Sequence, residues 1–475
     1  MLFNSLEFFL FLPITFLLYW YVCNNNVRFQ NLLIVISSYV FYGWWDWRFL
    51  SLIFISTIID YFVGLKIHVS QKNKIRLCYL WVSILCNLSL LGFFKYYNFF
   101  IDSWIDLLVY FGYQQTSIWT LSVILPVGIS FYTFQTMSYS FDIYYKKIKP
   151  TKDFISFASF VSFFPQLVAG PIERAYNLLP QILTKRIFRY KQGVQGLRLI
   201  LWGMFKKVVI ADSLAWRVDY SFENFQTLDG GTLLLGLIYF SIQIYCDFSG
   251  YSDIAIGTAK LFGIEIMSNF KFPYFSRNIG EFWRRWHISL SSWFRDYLYI
   301  PLGGSKSGKW CAIRNIIIIF LVSGFWHGAN WTFIMWGLTH SLLYLPLFLK
   351  GRNRQYIDTI AENNWFPTVK EILQIGTTFF IITIAWVFFR SDTILGAFQY
   401  TYRMVSDFSF PATNRSGIIF VFILVTIDWF WKNDEREPLN IKNSLLRWIT
   451  YCLLLFLIFG SFQIIDMKQF IYFQF

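Results

Sequence analysis

Apolar residues fill this chain in long runs, and the polar residues are gathered into short connections between them. A helix crossing a hydrocarbon core about 30 Å thick needs roughly 20 apolar residues. Residues 8–22, 32–63 (long enough for two passes), 77–94, 123–145, 154–169, 199–215, 232–246, 313–322, 331–349, 372–389, 418–431 and 448–462 meet or approach that requirement. The pattern predicts an all-α, polytopic membrane protein with about 11 transmembrane helices. No Pro/Ser/Gly-rich linker, low-complexity tract or repeat interrupts it, so residues 1–475 are read as a single membrane domain. Residues 271–310 break the rhythm. They combine Arg277, Glu281, Arg284, Arg285, His287, Arg295 and Asp296 with dense aromatics, which predicts re-entrant or interfacial helices lining a protein cavity.

Composition agrees with the pattern. Of 475 residues 56% are hydrophobic and 14% charged, against roughly a quarter charged in soluble domains. Lys and Arg exceed Asp and Glu by 41 to 27. The basic residues sit in the connections 66–76, 146–152, 185–191, 306–314 and 350–354, the distribution produced by the positive-inside bias, which places those loops in the cytoplasm. Nucleic-acid binding is excluded as the reason for the charge, and membrane lipid is the expected surrounding. The first apolar run, from Met1 to Cys23, has neither a basic leader nor a small-residue cleavage site and reads as a retained span. Cys23, Cys78, Cys86, Cys246, Cys311 and Cys452 stand singly, so no disulfide framework or zinc site is expected. Nor do metal-ligand clusters or a nucleotide-binding loop appear, and no bound cofactor is expected.

Four histidines carry the candidate chemistry. His327, in Ser-Gly-Phe-Trp-His-Gly-Ala-Asn-Trp (323–331), lies between two apolar runs, where an ionisable side chain is a functional-site candidate by default. His287, in Trp-Arg-Arg-Trp-His-Ile-Ser-Leu-Ser (283–291), lies in the re-entrant segment. Histidine suits proton abstraction from a hydroxyl, its unperturbed pKa being about 6.5. The plain alternatives are a hydrogen-bonded core histidine and an interfacial residue in an aromatic belt. His68 reads as a solvated loop residue and His340 as a satisfied helix residue. Asp247 and Asp253, placed at the end of a span, are spaced wrongly for a paired-carboxylate hydrolase and read as structural hydrogen-bonding groups. The aromatic tail 470–475 reads as an interfacial anchor.

The run 286–304, Trp-His-Ile-Ser-Leu-Ser-Ser-Trp-Phe-Arg-Asp-Tyr-Leu-Tyr-Ile-Pro-Leu-Gly-Gly, followed by Gly-Phe-Trp-His-Gly at 324–328, closely resembles the membrane-bound O-acyltransferase (MBOAT) family, and most of all its alginate O-acetylase branch. The segments 125–135, 164–172 and 247–253 are similar to the same branch, so residues 125–336 form a motif-bearing core. The resemblance implies a funnel of tilted helices in a bacterial inner (cytoplasmic) membrane. His327 matches the family's catalytic histidine and His287 its second, supporting one, with Arg284, Arg285 and Asn330 as candidate substrate-binding residues. The implied reaction is transfer of an acyl group, acetyl first, from a cytoplasmic thioester such as acetyl-CoA or an acyl carrier protein. The implied acceptor is a hydroxyl of alginate or a similar exopolysaccharide, or of peptidoglycan, reached through an extracytoplasmic SGNH-like partner. Phe-Ile-Tyr-Phe at 470–473 is similar to the tail of the small partner protein in lipoteichoic-acid alanylation, which gives Tyr472 a second reading as an acyl relay. The reading from a different class is a polysaccharide or small-molecule transporter; no duplicated halves with broken helices are visible in the sequence to support it.

Overall fold

The structure, a computed structural model, describes residues 1–24, 26–113, 120–121, 123–362, 364–464 and 470–471. Among these there are twenty α-helices and no strand. Seven helical stretches are long and apolar enough to cross a membrane: Val27–Val69, Asn73–Tyr110, Gly230–Leu261, Lys309–His327, Trp331–Leu349, Val369–Arg390 and Ser444–Phe462. The protein is therefore a multi-pass, all-helical membrane protein. The first two stretches are broken partway and contain more than one helix each, so this tally does not fix the expected number of spans. Two compact units divide the chain, one holding residues 1–193 and 258–267, the other 194–257 and 268–475.

The first unit is built from α1 (Leu6–Leu17), α2 (Val27–Asp46), α3 (Leu50–Val69), α4 (Asn73–Leu91), α5 (Tyr97–Tyr110), α6 (Ile129–Tyr144), α7 (Phe154–Ser162), α8 (Phe164–Leu167) and α9 (Ala175–Leu183). Helices α2 and α3 have 20 residues each, about 30 Å of helix. Where α3, α4 and α6 meet, the buried Asp60 accepts hydrogen bonds from Ser83, Ser140 (2.8 Å) and Asn87 (2.7 Å). A carboxylate among apolar helices is tolerated because three donors replace its water. Residues 154–169 do not form the expected span. They break into helices of nine and four residues at Phe163, with Pro165 opening the second, and both are buried in the protein. Gly128 starts α6 at φ 76°, and a Cβ there would press on the Leu167 carbonyl, so the segments 125–135 and 164–172 meet at a glycine.

The second unit takes up α10 (Tyr190–Met204) from Val194 and continues through α11 (Asp212–Glu223), α12 (Gly230–Leu261) as far as Gly257, α13 (Ile279–Arg285), α14 (Ile288–Phe294), α15 (Lys309–His327), α16 (Trp331–Leu349), α17 (Val369–Arg390), α18 (Ile394–Ser406), α19 (Ile418–Phe430) and α20 (Ser444–Ile464). Helix α12 runs 32 residues without interruption. Asp247 and Asp253 thus lie inside a helix and not at a span end, because buried lysines from the π-helical turn Phe205–Ala211 neutralise them where bare carboxylates would have ended it. Helices α13 and α14, seven residues each, are too short to cross, as the charge of residues 271–310 required.

Helices α15 and α16 form a tight hairpin. A Cβ at Gly324 would overlap the Phe333 carbonyl, and one at Gly337 would overlap the Phe320 carbonyl. Small residues facing one another let helices in a membrane approach through van der Waals contact. Replacing Gly324 with Val is expected to lower stability by about 2 kcal/mol or more, since neither carbonyl-bearing backbone can retreat without parting the hairpin. Thermal unfolding in detergent, followed by size-exclusion chromatography, measures this; an unchanged profile would refute the close-contact argument.

Candidate active site

His327 is the last residue of α15. Gly328 follows in extended conformation, and any side chain on it would strike the Phe333 ring, so the turn into α16 is set by glycine. Asn330 closes the turn by accepting the Thr332 N–H at 2.9 Å and donating to the Asp392 carbonyl at 2.9 Å. The His327 imidazole, 3% exposed, is enclosed by the edges of Trp326 (ring centres 5.0 Å apart), Trp336 (5.1 Å) and Phe389 (5.3 Å).

His287 reaches the same place from another element. It sits between α13 and α14 at φ 42°, ψ 54°, a left-handed conformation uncommon for a residue with a Cβ and found where the surroundings over-determine it. Those surroundings are two backbone hydrogen bonds, Lys271 N–H to Arg285 O at 2.9 Å and Ile288 N–H to Asn269 O at 2.8 Å, with Ser289 donating to the Asn269 side chain at 2.5 Å. Asn269 in turn donates to Ser252 of α12 at 2.9 Å. The imidazole meets Phe248 edge-on at 4.6 Å, and its centre lies 6.3 Å from that of His327. The two histidines expected to act together therefore converge, one held by a helix end and the other by a strained turn.

Arg284 and Arg285 point their donors at the protein itself. Arg284 donates to the carbonyls of Asn353 (2.5 Å) and Tyr356. Arg285 pairs with Glu281 at 2.8 Å and donates to the Asp358 carbonyl at 3.0 Å. Arg277 shares Glu281 at 3.1 Å, pairs with Asp358 at 3.1 Å and stacks on Tyr356 at 4.3 Å. The Arg277 guanidinium hydrogen-bonded to Asp358 holds that carboxyl below the usual range. This charged knot fastens the turn that carries His287 to residues 353–358.

Several features were missed in the sequence. Phe389, Trp336 and Trp386 wall the site from α16 and α17, with Trp336 stacked on Trp386 at 5.6 Å. His340 is not a satisfied helix residue: it is fully buried among Trp283, Trp336 and Phe320, and neither ring nitrogen has a hydrogen-bond partner among the described residues. His68, by contrast, is exposed in the last turn of α3.

The aromatic tail also reaches this region. Phe470 packs on Tyr251 (4.9 Å) and on Phe248 (5.6 Å), the residue against His287. Ile471 donates its N–H to Asp247 at 2.6 Å. Both tail residues are buried, which interfacial anchoring does not require. Tyr472 lies outside the described residues.

A buried histidine pair in an aromatic enclosure suits proton transfer between a hydroxyl and an acyl donor. The family model of the membrane-bound O-acyltransferases matches residues 150–349, which include both histidines. The chain belongs to that family and is an O-acyltransferase, so the transporter reading is set aside. It is 39% identical over 453 residues to the probable alginate O-acetylase AlgI of Pseudomonas aeruginosa, covering 93% of this chain and 84% of that one. With the probable alginate O-acetylase AlgI of Pseudomonas putida it shares 36% identity over 503 residues and the full length of both chains. Its identity to the peptidoglycan O-acetyltransferase of Helicobacter pylori is 38% over 434 residues, 85% of this chain and 80% of that one.

Glu281 is the carboxylate between two buried guanidinium groups. Removing one partner from a buried ionic cluster typically destabilises by about 3–5 kcal/mol, because the remaining charges lose their compensation. Glu281→Gln is therefore expected to lower the unfolding temperature in detergent by several degrees and to reduce acyl transfer through loss of the His287 turn. A wild-type unfolding curve would contradict the fastening role.

Proposed function

We propose that this protein moves an acyl group, acetyl in the first instance, from a cytoplasmic thioester to hydroxyls of an extracytoplasmic polysaccharide at the bacterial inner membrane. The observation that carries the reading is the convergence of His327 and His287 inside the aromatic enclosure. The acceptor class comes from the relatives, whose names specify alginate and peptidoglycan. Alginate or a similar exopolysaccharide is the first choice and peptidoglycan the second.

In this reading His327 is the general base. It takes the proton of the attacking hydroxyl as the oxygen adds to the thioester carbonyl; the carbon–sulfur bond then breaks, and the departing thiolate receives that proton. A thiolate leaves readily, so a base and correct positioning supply much of the rate enhancement. His287 supports the reaction by orienting a reactant. The donors of Arg284, Arg285 and Asn330 are directed at the protein's own carbonyls and at Glu281, which favours a positioning role over substrate contact.

Sidedness supports transfer across the membrane. Basic residues cluster at the start of α15 and the end of α16, which under the positive-inside bias supports a cytoplasmic location for those ends. His327 lies 19 residues along α15, about 28 Å of helix from that end. Tyr472 is proposed as the relay that accepts the acyl group as a phenol ester and presents it to an SGNH-like transferase; the burial of Phe470 against Phe248 and of Ile471 at Asp247 supports this. Acetyl-CoA and an acyl carrier protein both fit as donor.

The test is base-released acetate from cells carrying wild type, His327→Ala or Tyr472→Phe at equal protein level, fractionated into secreted polymer and peptidoglycan. His327→Ala is expected to lower acetate about a hundredfold or more, to the deletion background, and the depleted fraction identifies the acceptor. Unchanged acetate with His327→Ala would remove the base assignment, and unchanged acetate with Tyr472→Phe would remove the relay.

A further inference from the structure

Helix α12 carries two carboxylates that the proposed chemistry does not use, the buried Asp247 and the half-buried Asp253, and each meets one of two adjacent lysines. Lys206 pairs with Asp253 at 2.7 Å and donates to Ser249 at 2.8 Å. Lys207 is shared between Asp247 at 2.6 Å and Asp212 at 2.8 Å. On a regular helix neighbouring side chains diverge by about 100°, but these two lie in the π-helical turn Phe205–Ala211, whose altered winding brings both inward. Such turns cluster at functional sites. Both lysines lie next to Gly250, where a Cβ would press on the Gly203 carbonyl, so the turn and α12 are in close contact.

Asp247 differs from Asp253 in what its second oxygen does. Lys207 holds Oδ1, and Oδ2 accepts the backbone N–H of Ile471, 224 residues away in the chain. A charge-assisted bond to a carboxylate 3% exposed is among the stronger hydrogen bonds available to a main-chain donor. A backbone N–H does not distinguish one residue from another. Register is supplied by Phe470, whose ring fills the slot between Phe248 and Tyr251, residues one and four places beyond Asp247 on the same helix.

We propose that Asp247 is the seat of the aromatic tail, that Lys207 is the positioning residue that holds Asp247 for it, and that the Phe248–Tyr251 slot sets which tail residue is seated. The seat rests on the relay reading of Tyr472 for its purpose and on the Ile471 and Phe470 contacts for its existence. It fixes Phe470, two places before Tyr472, one ring away from His287, since Phe248 touches both Phe470 and the imidazole.

Hydrogen–deuterium exchange of the purified full-length protein in lipid nanodiscs tests this, with wild type, Asp247→Ala, Phe470→Ala and Tyr472→Phe compared. In Asp247→Ala and in Phe470→Ala the amides of the 470–475 peptide are expected to exchange at least about tenfold faster, with α15 and α16 peptides unchanged. The turnover number is expected to fall while the KM for the thioester stays constant, a split that general destabilisation does not produce. Phe470→Ala leaves the ionic cluster intact and serves if Asp247→Ala fails to fold. Wild-type exchange in the tail of both variants overturns the seat. Tyr472→Phe is expected to keep tail exchange at the wild-type rate while losing transfer; if it retains full transfer the relay falls, and the seat is judged on exchange alone.

Discussion

The contact between α15 and α16 is the constraint from which the site follows. Gly324 and Gly337 present no side chains to the facing backbones, so the two helices close to a distance that any larger residue would forbid. In lipid no hydrophobic effect drives helices together, and close backbone packing is one of the few attractions available. The hairpin it creates ends in His327-Gly328, and the geometry of that end carries the imidazole into the protein and away from the bilayer. Trp336, one position before Gly337, is thereby delivered against the histidine from the opposite helix. His327 and the wall that encloses it are products of one packing event.

Three buried charged clusters among the described residues are each compensated in a way that also sets geometry. Asp60 is surrounded by hydroxyl and amide donors and ties three helices together. Glu281 draws Arg277 and Arg285 together and so fixes the short helix preceding His287. Lys206 and Lys207 allow α12 to remain helical through two carboxylates. Burying an ion pair contributes little net stability, because the desolvation of both groups offsets their attraction. What these clusters supply is direction: a charged group with one well-placed partner has one favourable arrangement. The strained backbone at His287 persists because Glu281, Asn269 and two backbone hydrogen bonds leave the turn no alternative.

The motifs around His287 and His327 were legible because histidine in an apolar context is costly and therefore conspicuous. That the two would converge was implied only by resemblance; no spacing rule relates residues 40 positions apart on different elements. Phe389, Trp336 and Trp386 were not legible at all. In a soluble helix an apolar stripe marks the face that packs inward, but in a membrane helix lipid and protein interior reward the same side chains, so the inward-facing aromatics look like the lipid-facing ones. The break at Phe163 was signalled by Pro165, a residue that removes a backbone donor, yet the surrounding apolar run masked it. Asp247 and Asp253 misled in the opposite direction: carboxylates ordinarily end a span, and the compensating lysines lay some 40 residues earlier in the chain.

The placement of Phe470 and Ile471 could not have been read from Phe-Ile-Tyr-Phe, which suits an interface as well as an interior, and their burial bears on what the proposed reaction requires. A polymer hydroxyl diffusing to a buried base would have to be desolvated and oriented at each turnover. In the proposed relay the nucleophile is carried on the same chain, and tethering of this kind corresponds to local concentrations in the millimolar range or above without any new contact. The seat at Asp247 sharpens that advantage, since a main-chain hydrogen bond and an aromatic slot restrict the tail to one register. A relay must also be released to deliver its cargo. The proposed seat therefore has to orient the tail and still let it go, and among the described residues it acts through a backbone bond and an aromatic slot rather than along a packed helix.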